Sequence, residues 1–290
     1  MTSHRLISLI TSLLILLSSG CGLGIDINLR TEQKTGPTIT DDLSVPLPAS
    51  GDPIRLNLAF GAGKLVLLPS PRGELVSGTA IYNVSDFQPD VEVSESTVVI
   101  RQGNLKLNAV PTINDTIKNE WSLGIGSHPL DLTIKSGAYT GDFEFGGLAI
   151  TDLHITDGAA NVQLAFSMPN QEVMRSFRYE TGASNISMKK LANANFQTMI
   201  FQSGGGNYSL DFSGNLQQDT NVFIETGLSR LVIAVPEDMS AEVSFEGPLS
   251  NVNAKGSWEE FEGEYINNGN GPKLMITVET KAGTTTLKHP

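Results

Sequence analysis

The feature that most constrains the fold is a short pattern that recurs along the chain. Two apolar residues separated by one residue precede a turn position, and a second such pair follows it; FRYETGASNISM, residues 177–188, is one copy. The turn positions of the copies are Gly61, Gly137, Gly158, Gly182, Gly204, Gly227, Pro248 and Lys281. Their spacings are 76, 21, 24, 22, 23, 21 and 33 residues. A period this regular indicates stacked structural repeats.

Each repeat reads as a bent β-strand. Apolar residues occupy the positions five and three before every turn, and also those four and six after it, except at Gly141 and Thr285. Mostly polar residues alternate with them, which is typical of half-buried strands. The last apolar residue before the turn and the first one after it are seven residues apart. Because seven is an odd number, a straight strand would place the two apolar pairs on opposite faces. The chain must therefore bend, and we expect the glycines to supply the unusual backbone angles of the corner.

The repeats predict an all-β fold, specifically a stacked β-solenoid or β-roll of about 20–24-residue repeats; a meander of hairpins is the alternative. A further apolar piece after the second pair, as in Phe143 to Phe145, favours a coil that turns back to the next repeat. Residues 132–290 would form the repeats and residues 52–131 an irregular β cap or sandwich. Both could belong to one continuous domain. A hairpin insertion at residues 258–273 explains the last, longer spacing.

The start of the chain predicts export and lipid anchoring. Residues 1–20 combine a polar start, an apolar run and small residues before Cys21, which resembles the lipobox of a lipoprotein signal peptide. The alternative is an ordinary cleaved signal that leaves a free thiol. Residues 21–51 are rich in Thr, Pro, Ser and Asp and predict a flexible tether after the acylated cysteine. The expected location is the bacterial cell envelope, outside the cytoplasm, with the membrane contacted through the lipid.

Charge and cysteine content restrict the chemistry. The formal net charge of −12 argues against nucleic acid as a partner. Cys21 is the single cysteine, so neither disulfides nor a catalytic or metal-binding cysteine of the folded part is expected. We expect no cofactor, no metal site and no catalytic residue.

Two polar columns allow functional alternatives. Asn161, Asn185, Asn207 and Asn251 each follow a turn by three residues, which predicts a ladder of stacked amides or, as the alternative, an Asn-lined ligand groove. Glu225, Glu246 and Glu279 each precede a turn by two residues; solvated carboxylates are favoured over an acid or cation site. His154 has Asp157 close in sequence, and an ordinary exposed histidine is favoured over a weak metal site.

The aromatic residues of the insertion form the candidate partner surface. Trp258, Phe261 and Tyr265 lie in the segment WEEFEGEY. Exposed aromatic side chains are efficient anchors for a partner. The alternative, which we favour, is that these rings cover the end of the stack and protect its edge.

Several segments together resemble a known family. The similarity is to the toastrack group, which includes the C-terminal region of LiaF-like proteins and related adhesins. The segments that carry it are GAGKLVLL, SGAYTGDFEFGGL, TGASNISMKKLANANF, TGLSRLVIAVP and the segment that contains GSW at residues 256–258. The resemblance covers most of the chain from about residue 54 to residue 287 and implies a stacked β fold at the envelope without catalytic residues to transfer. We therefore expect a non-catalytic lipoprotein that binds an envelope protein or cell-wall component in adhesion or envelope stress. The alternative is a carbohydrate-active β-helix enzyme that uses surface carboxylates.

Overall fold

The described part of the computed structural model, residues 35–49, 53–71, 73–103, 117–246 and 251–290, is built from β-strands. Two short 3₁₀ helices, Ser85–Phe87 and Leu191–Ala194, are the helical elements among these residues. None of the described helices has the length and apolar composition needed to cross a membrane. The all-β prediction is confirmed. The strands are β1 (Ile39–Val45), β2 (Ile54–Ser70), β3 (Val76–Tyr82), β4 (Pro89–Val93), β5 (Thr97–Gln102), β6 (Asn119–Gly126), β7 (Leu130–Glu144), β8 (Ile150–Ala165), β9 (Met174–Lys189), β10 (Phe196–Asp211), β11 (Thr220–Ala234), β12 (Met239–Glu246), β13 (Asn251–Lys255), β14 (Glu259–Phe261), β15 (Glu264–Asn267) and β16 (Asn270–Lys288).

The strands form one large, mostly parallel sheet. Its order is β1-β3-β6-β2-β7-β8-β9-β10-β11-β16-β12-β15-β14; β13 also pairs with β16, and β5 pairs with both β2 and β4. The long strands β2 and β7 to β11 run parallel to their neighbours, as does β16 against β11, β12 and β13. Among the described strands, the antiparallel pairs are β1–β3, β3–β6 and β4–β5 in the first part of the chain, and β12–β15 and β14–β15 at the other end of the sheet.

The register of the sheet reproduces the columns of the repeat. The residues five before the turn pair directly across adjacent strands: Leu56, Leu132, Leu153, Phe177, Met199, Val222, Ile276 and Val243. All eight are buried. Because side chains alternate along a strand, burial of this column fixes which residues of each repeat face the core.

The spatial order of the repeats departs from their order in sequence. From β7 to β11, each strand lies beside the next one in the chain. Strand β16, which carries the Lys281 turn position, then lies between β11 and β12. The Pro248 turn position lies outside the described residues. A coil that turns back to the next repeat would place β12 beside β11, and this expectation is not met after β11.

The connections between long strands are also stacked on one another. The N–H of Phe145 donates to the carbonyl of Ala165, that of Phe166 to Lys189, and that of Phe212 to Ala234. The rings of Phe145 and Phe166 are buried and their centroids lie 5.9 Å apart. Burial of a phenylalanine side chain contributes on the order of 2–3 kcal/mol, so these connections belong to the core.

The region before β7 is continuous with the repeats. Strand β2 pairs with β7 on both sides of the corner, so Gly61 and Gly137 lie side by side. The 76-residue spacing between them therefore contains an insertion, which forms β3 to β6. The sheet thus runs across the predicted boundary between residues 131 and 132.

Strand β1 corrects the predicted tether of residues 21–51. Residues 39–45 form a strand that pairs with β3, and Leu43 and Val45 are buried. These apolar side chains anchor this part of the chain to the core, so it is not a free tether. The predicted signal peptide, Cys21 and the start of the tether lie outside the described residues.

Candidate functional site

The predicted corner glycines lie within the long strands at positions where two backbones approach closely. Pairing between neighbouring strands skips each of these glycines. A Cβ atom on Gly204 would lie 2.7 Å from the carbonyl oxygen of Gly182 on the neighbouring strand. None of the six has φ in the left-handed region. The predicted reason, unusual backbone angles, is therefore wrong. Close stacking requires glycine at Gly137, Gly182, Gly204 and Gly227, whereas a Cβ at Gly158 would lie 3.1 Å from the nearest carbonyl oxygen. The six are Gly61, Gly137, Gly158, Gly182, Gly204 and Gly227.

A buried polar column lies directly inside these corners and was not predicted. From β7 onward, the residue before each described corner is polar, whereas Phe60 precedes Gly61. These polar residues pair in register across the strands: Ser136, Asp157, Thr181, Ser203, Thr226 and Thr280. The hydroxyls of Thr226 and Thr280 are 3.2 Å apart, and Ser229 donates to Thr226 at 2.8 Å. The recurrence of Ser, Thr or Asp immediately before the corner glycine was the sequence signal that could have revealed this column.

Asp157 is the acidic member of the column and is 5% exposed. Tyr179 donates its hydroxyl to Asp157 Oδ2 at 2.6 Å, and Tyr139 donates to the same oxygen at 3.3 Å. Thr181 donates to Oδ1, and Ser184 lies 3.4 Å from that oxygen. Four hydroxyls therefore surround one buried carboxylate, which we call the Asp157 cluster: Asp157, Tyr139, Tyr179, Thr181 and Ser184.

The cluster is suited to holding a corner in place. Burial raises the pKa values of the Tyr139 and Tyr179 hydroxyls, and the nearby Asp157 carboxylate adds to both shifts. The tyrosines therefore stay protonated and act as donors across the ordinary pH range. The members are linked through hydrogen bonds to Asp157 within the core, as in a structural network. Asp157 and Thr181 also border a shallow surface pocket of about 380 Å³.

The predicted glutamate column lies on the outward face of the sheet. Glu279 of β16 pairs with Glu225 on one side and with Glu246 on the other. Gln202 donates to Glu225 Oε2 at 3.0 Å, and Lys281 Nζ lies 3.4 Å from Glu225 Oε1. These two contacts lower the pKa of Glu225. A general acid in glycoside hydrolysis needs a raised pKa, so the environment of Glu225 opposes that role.

The same outward face contains His154 and Glu180. His154 Nε2 lies 3.1 Å from the hydroxyl of Thr156 and 3.5 Å from Glu180 Oε2. Glu180 accepts a 2.5 Å hydrogen bond from Arg178 Nε, which lowers its pKa. Asp157 faces the core, so the suggested His154–Asp157 pair does not form. Among the described residues, no group of three or more His, Cys, Asp or Glu side chains is arranged to hold a metal ion.

The asparagines form part of the predicted ladder on the outward face beyond the corner. Asn161, Asn185 and Asn207 pair in register on β8, β9 and β10. Asn207 Nδ2 donates to Asn185 Oδ1 at 2.8 Å. The next position across is Arg230, and Asn251 lies apart, opposite Thr284. A shallow groove of about 390 Å³ follows these amides, so stacking and a groove occur together.

The three aromatic residues of the predicted partner surface differ in how far they are packed against the sheet. The Trp258 ring stacks on His289 with a centroid distance of 5.2 Å, and Tyr265 packs edge-on against Phe245 at 5.6 Å. Phe261, at the end of β14, is 64% exposed. Trp258 and Tyr265 are thus held against the sheet, as in the covering alternative, whereas Phe261 projects from it.

Acidic residues surround Phe261. Strands β14 and β15 form an antiparallel hairpin at the last position of the sheet, and its turn contains Glu262 and Gly263 with positive φ. Glu259, Glu260 and Glu262 are exposed. We call residues 259–264 the acidic hairpin. An exposed ring among carboxylates could enter an apolar pocket with a basic rim.

These features define a class: an all-β repeat protein with one large, mostly parallel sheet, stacked glycine corners and a projecting acidic hairpin. The family match agrees with this class. Residues 30–172 match the family described as the N-terminal domain of toast_rack, DUF2154. The resemblance to the toastrack group is therefore confirmed.

Comparison with solved structures gives matches at low sequence identity, and the first of the two that follow has a TM-score above 0.5. A "putative cell adhesion protein" from Clostridium sporogenes is 20% identical, with a TM-score of 0.51; the match covers 88% of this chain and 100% of that one. A "putative adhesin" from Bacteroides fragilis is 11% identical, with a TM-score of 0.39, and 86% and 97% of the two chains are covered. No curated protein gives a significant match.

Proposed function

We propose that this protein is a non-catalytic, lipid-anchored module of the bacterial cell envelope that binds another envelope component, in an adhesin-like or envelope-stress role. The observation that carries the proposal is Phe261, 64% exposed at the end of the acidic hairpin. A large apolar side chain at an exposed position is stabilised when a partner buries it, by about 2 kcal/mol or more.

The acidic hairpin is held in place by strand pairing with the main sheet. Strand β15 pairs with β12, which pairs with β16, so the hairpin is joined through backbone hydrogen bonds to the long strands. Tyr265 packs on Phe245 behind it. A contact surface held in this way loses little conformational freedom on binding. The description of the Clostridium sporogenes relative as a cell adhesion protein agrees with such a role.

We also infer that the stacked strands and connections form a β-solenoid. The support is the parallel register of the long strands together with backbone hydrogen bonds between successive connections. Parallel neighbours need a return connection, and short stacked returns complete a coil. Such a coil would place the hairpin at one end of the stack.

Site-specific photo-crosslinking in intact cells tests the binding function. A photoreactive amino acid would replace Phe261, and a matched control would replace Phe223, which is 48% exposed on the sheet face. We expect position 261 to yield a discrete crosslinked envelope component and position 223 to yield none. Equal products at both positions, or no product at 261, would contradict the proposal.

A charge variant provides a second readout. Glu259→Lys changes the acidic hairpin at an exposed position and leaves the ring in place. If the partner has a basic rim, crosslinking from position 261 should fall by about tenfold, since close like charges oppose association. Glu120→Lys, an exposed change on β6, is the control and should leave the yield unchanged.

A further inference from the structure

Strand β1 presents a free edge at the opposite end of the sheet from the acidic hairpin. It pairs with β3 through seven residues, from Ile39 opposite Tyr82 to Val45 opposite Val76. Within the described residues, no strand pairs with its other side. A free edge exposes backbone N–H and C=O groups that can pair with another extended chain.

A groove runs beside this edge. It has a volume of about 450 Å³ and separates β1 from β4. Val91 and Val93 of β4 are 38% and 50% exposed. The groove therefore combines an unpaired backbone edge with apolar side chains. Its lining residues are Thr40, Asp41, Asp42, Leu43, Ser44, Val45, Pro46, Gln88, Pro89, Val91 and Val93.

The charged residues that line the groove are acidic. Among the described residues, the lining contains Asp41 and Asp42 and no basic side chain. Asp41 is held in position, since the hydroxyl of Tyr82 donates to its Oδ2 at 2.7 Å and Gln88 lies 3.5 Å from the same oxygen. Asp42 is exposed. Basic side chains on an occupant would therefore meet carboxylates without a competing positive charge.

The strand pattern of β1 determines what an added strand would need. Leu43 and Val45 face the core, whereas Thr40, Asp42 and Ser44 are exposed on the other face. A neighbouring strand alternates in the same way. One set of its side chains would pack beside Leu43 and the valines of β4, and the other set would lie beside Asp42.

We propose that this groove binds an extended segment of another protein that pairs with β1 and alternates apolar with basic residues. A second copy of β1 fits poorly, because its Asp41 and Asp42 would place carboxylates beside carboxylates, which destabilises cross-strand pairs. The proposal is independent of Phe261, so failure of one surface leaves the other unaffected.

A labelled peptide the length of β1 with alternating Val and Lys residues is the probe, and fluorescence anisotropy with the full chain is the measurement. We expect saturable binding of this peptide and binding about tenfold weaker, or weaker still, for the matching Val and Glu peptide. A Val and Lys peptide with N-methylated backbone amides should lose binding, because it cannot complete the strand pairing.

Variants assign the binding to the groove. Asp42→Lys should reverse the preference between the two peptides. Val93→Asp should weaken binding of the Val and Lys peptide by about tenfold. Asp90→Asn is the control, because Asp90 is paired with Arg101 outside the groove lining. Phe261→Ala should leave peptide binding unchanged.

Three results would overturn the proposal. The first is equal binding of the N-methylated peptide, which would indicate charge attraction without strand pairing. The second is no binding of the Val and Lys peptide to a chain whose circular dichroism shows intact β structure. The third is a dimer in sedimentation that Asp42→Lys alters, since a second copy would then occupy the edge.

Discussion

Replacement of Gly227 by alanine should separate two strands at a corner. A Cβ at this position would meet the carbonyl oxygen of Gly204, closer than at the other corners with such a contact. The oxygen belongs to the backbone of β10 and cannot rotate away. Relief requires β10 and β11 to move apart locally, which costs about 1–3 kcal/mol in packing and a further ~1 kcal/mol for each weakened hydrogen bond. We expect a loss of about 3–5 kcal/mol in the free energy of unfolding.

Gly158→Ala is the matched control. Its Cβ would lie 3.1 Å from the carbonyl oxygen of Gly137, a contact that a small shift relieves. Alanine also reduces the entropy of the unfolded chain by about 0.4–1 kcal/mol at a compatible φ, so the net change should stay within about 1 kcal/mol. Gly204→Ala, with 2.7 Å to Gly182, should be intermediate.

Urea titration followed by circular dichroism measures these differences, and an unchanged slope would show that the variants lose stability without losing compactness. The close-stacking explanation is refuted if Gly158→Ala and Gly227→Ala are equally destabilising, or if Gly227→Ala shifts stability by less than about 1 kcal/mol.

The remaining predictions concern the buried network, the first corner and the lipid. Asp157→Ala leaves several buried hydroxyls without their acceptor and should lower the free energy of unfolding by about 3 kcal/mol or more in urea titration; a loss below about 0.5 kcal/mol would contradict this. Because the pKa of Tyr179 is raised on folding, stability should hold below pH ~10 and fall as pH rises further, by up to about 1.4 kcal/mol per pH unit, and Tyr179→Phe should reduce that slope. Gln102→Ala removes the 2.7 Å acceptor of the Gly61 N–H and should cost about 1–3 kcal/mol, whereas an unchanged urea midpoint would show that water replaces it. Cys21→Ala should abolish labelling by a fatty-acid probe in cells; persistent labelling would rule out Cys21 as the acylation site.

Periodicity predicted side-chain placement better than strand order. The column containing Phe177 and Met199 is in register as the repeat alignment requires, because alternation within a strand decides which residues can share the core. The pattern does not determine which repeat lies beside which. Strand β16 has the same columns as its neighbours, so nothing in its sequence distinguishes a position after β12 from the observed position between β11 and β12.

The candidate surfaces were predicted in part. The aromatic segment was identified from composition, but the division between packed Tyr265 and exposed Phe261 depends on the path of the hairpin and on Phe245, which is distant in sequence. Strand β1 was missed because ITDDLSV contains two aspartates and follows a segment rich in Thr and Pro. Its burial results from β3, a partner about 35 residues further along the chain.

The insertion of β16 between β11 and β12 imposes an order on folding during synthesis. Strand β11 ends at Ala234 and β16 begins at Asn270, so β10 and β11 are complete well before the neighbour of β11 leaves the ribosome. In that interval the long, apolar edge of β11 is unpaired, and β12 has no long strand to join. A nascent chain stalled between these strands would expose a template for intermolecular pairing. Release of chains truncated before residue 270 should therefore give aggregation, even though most of the stacked core has already been synthesised.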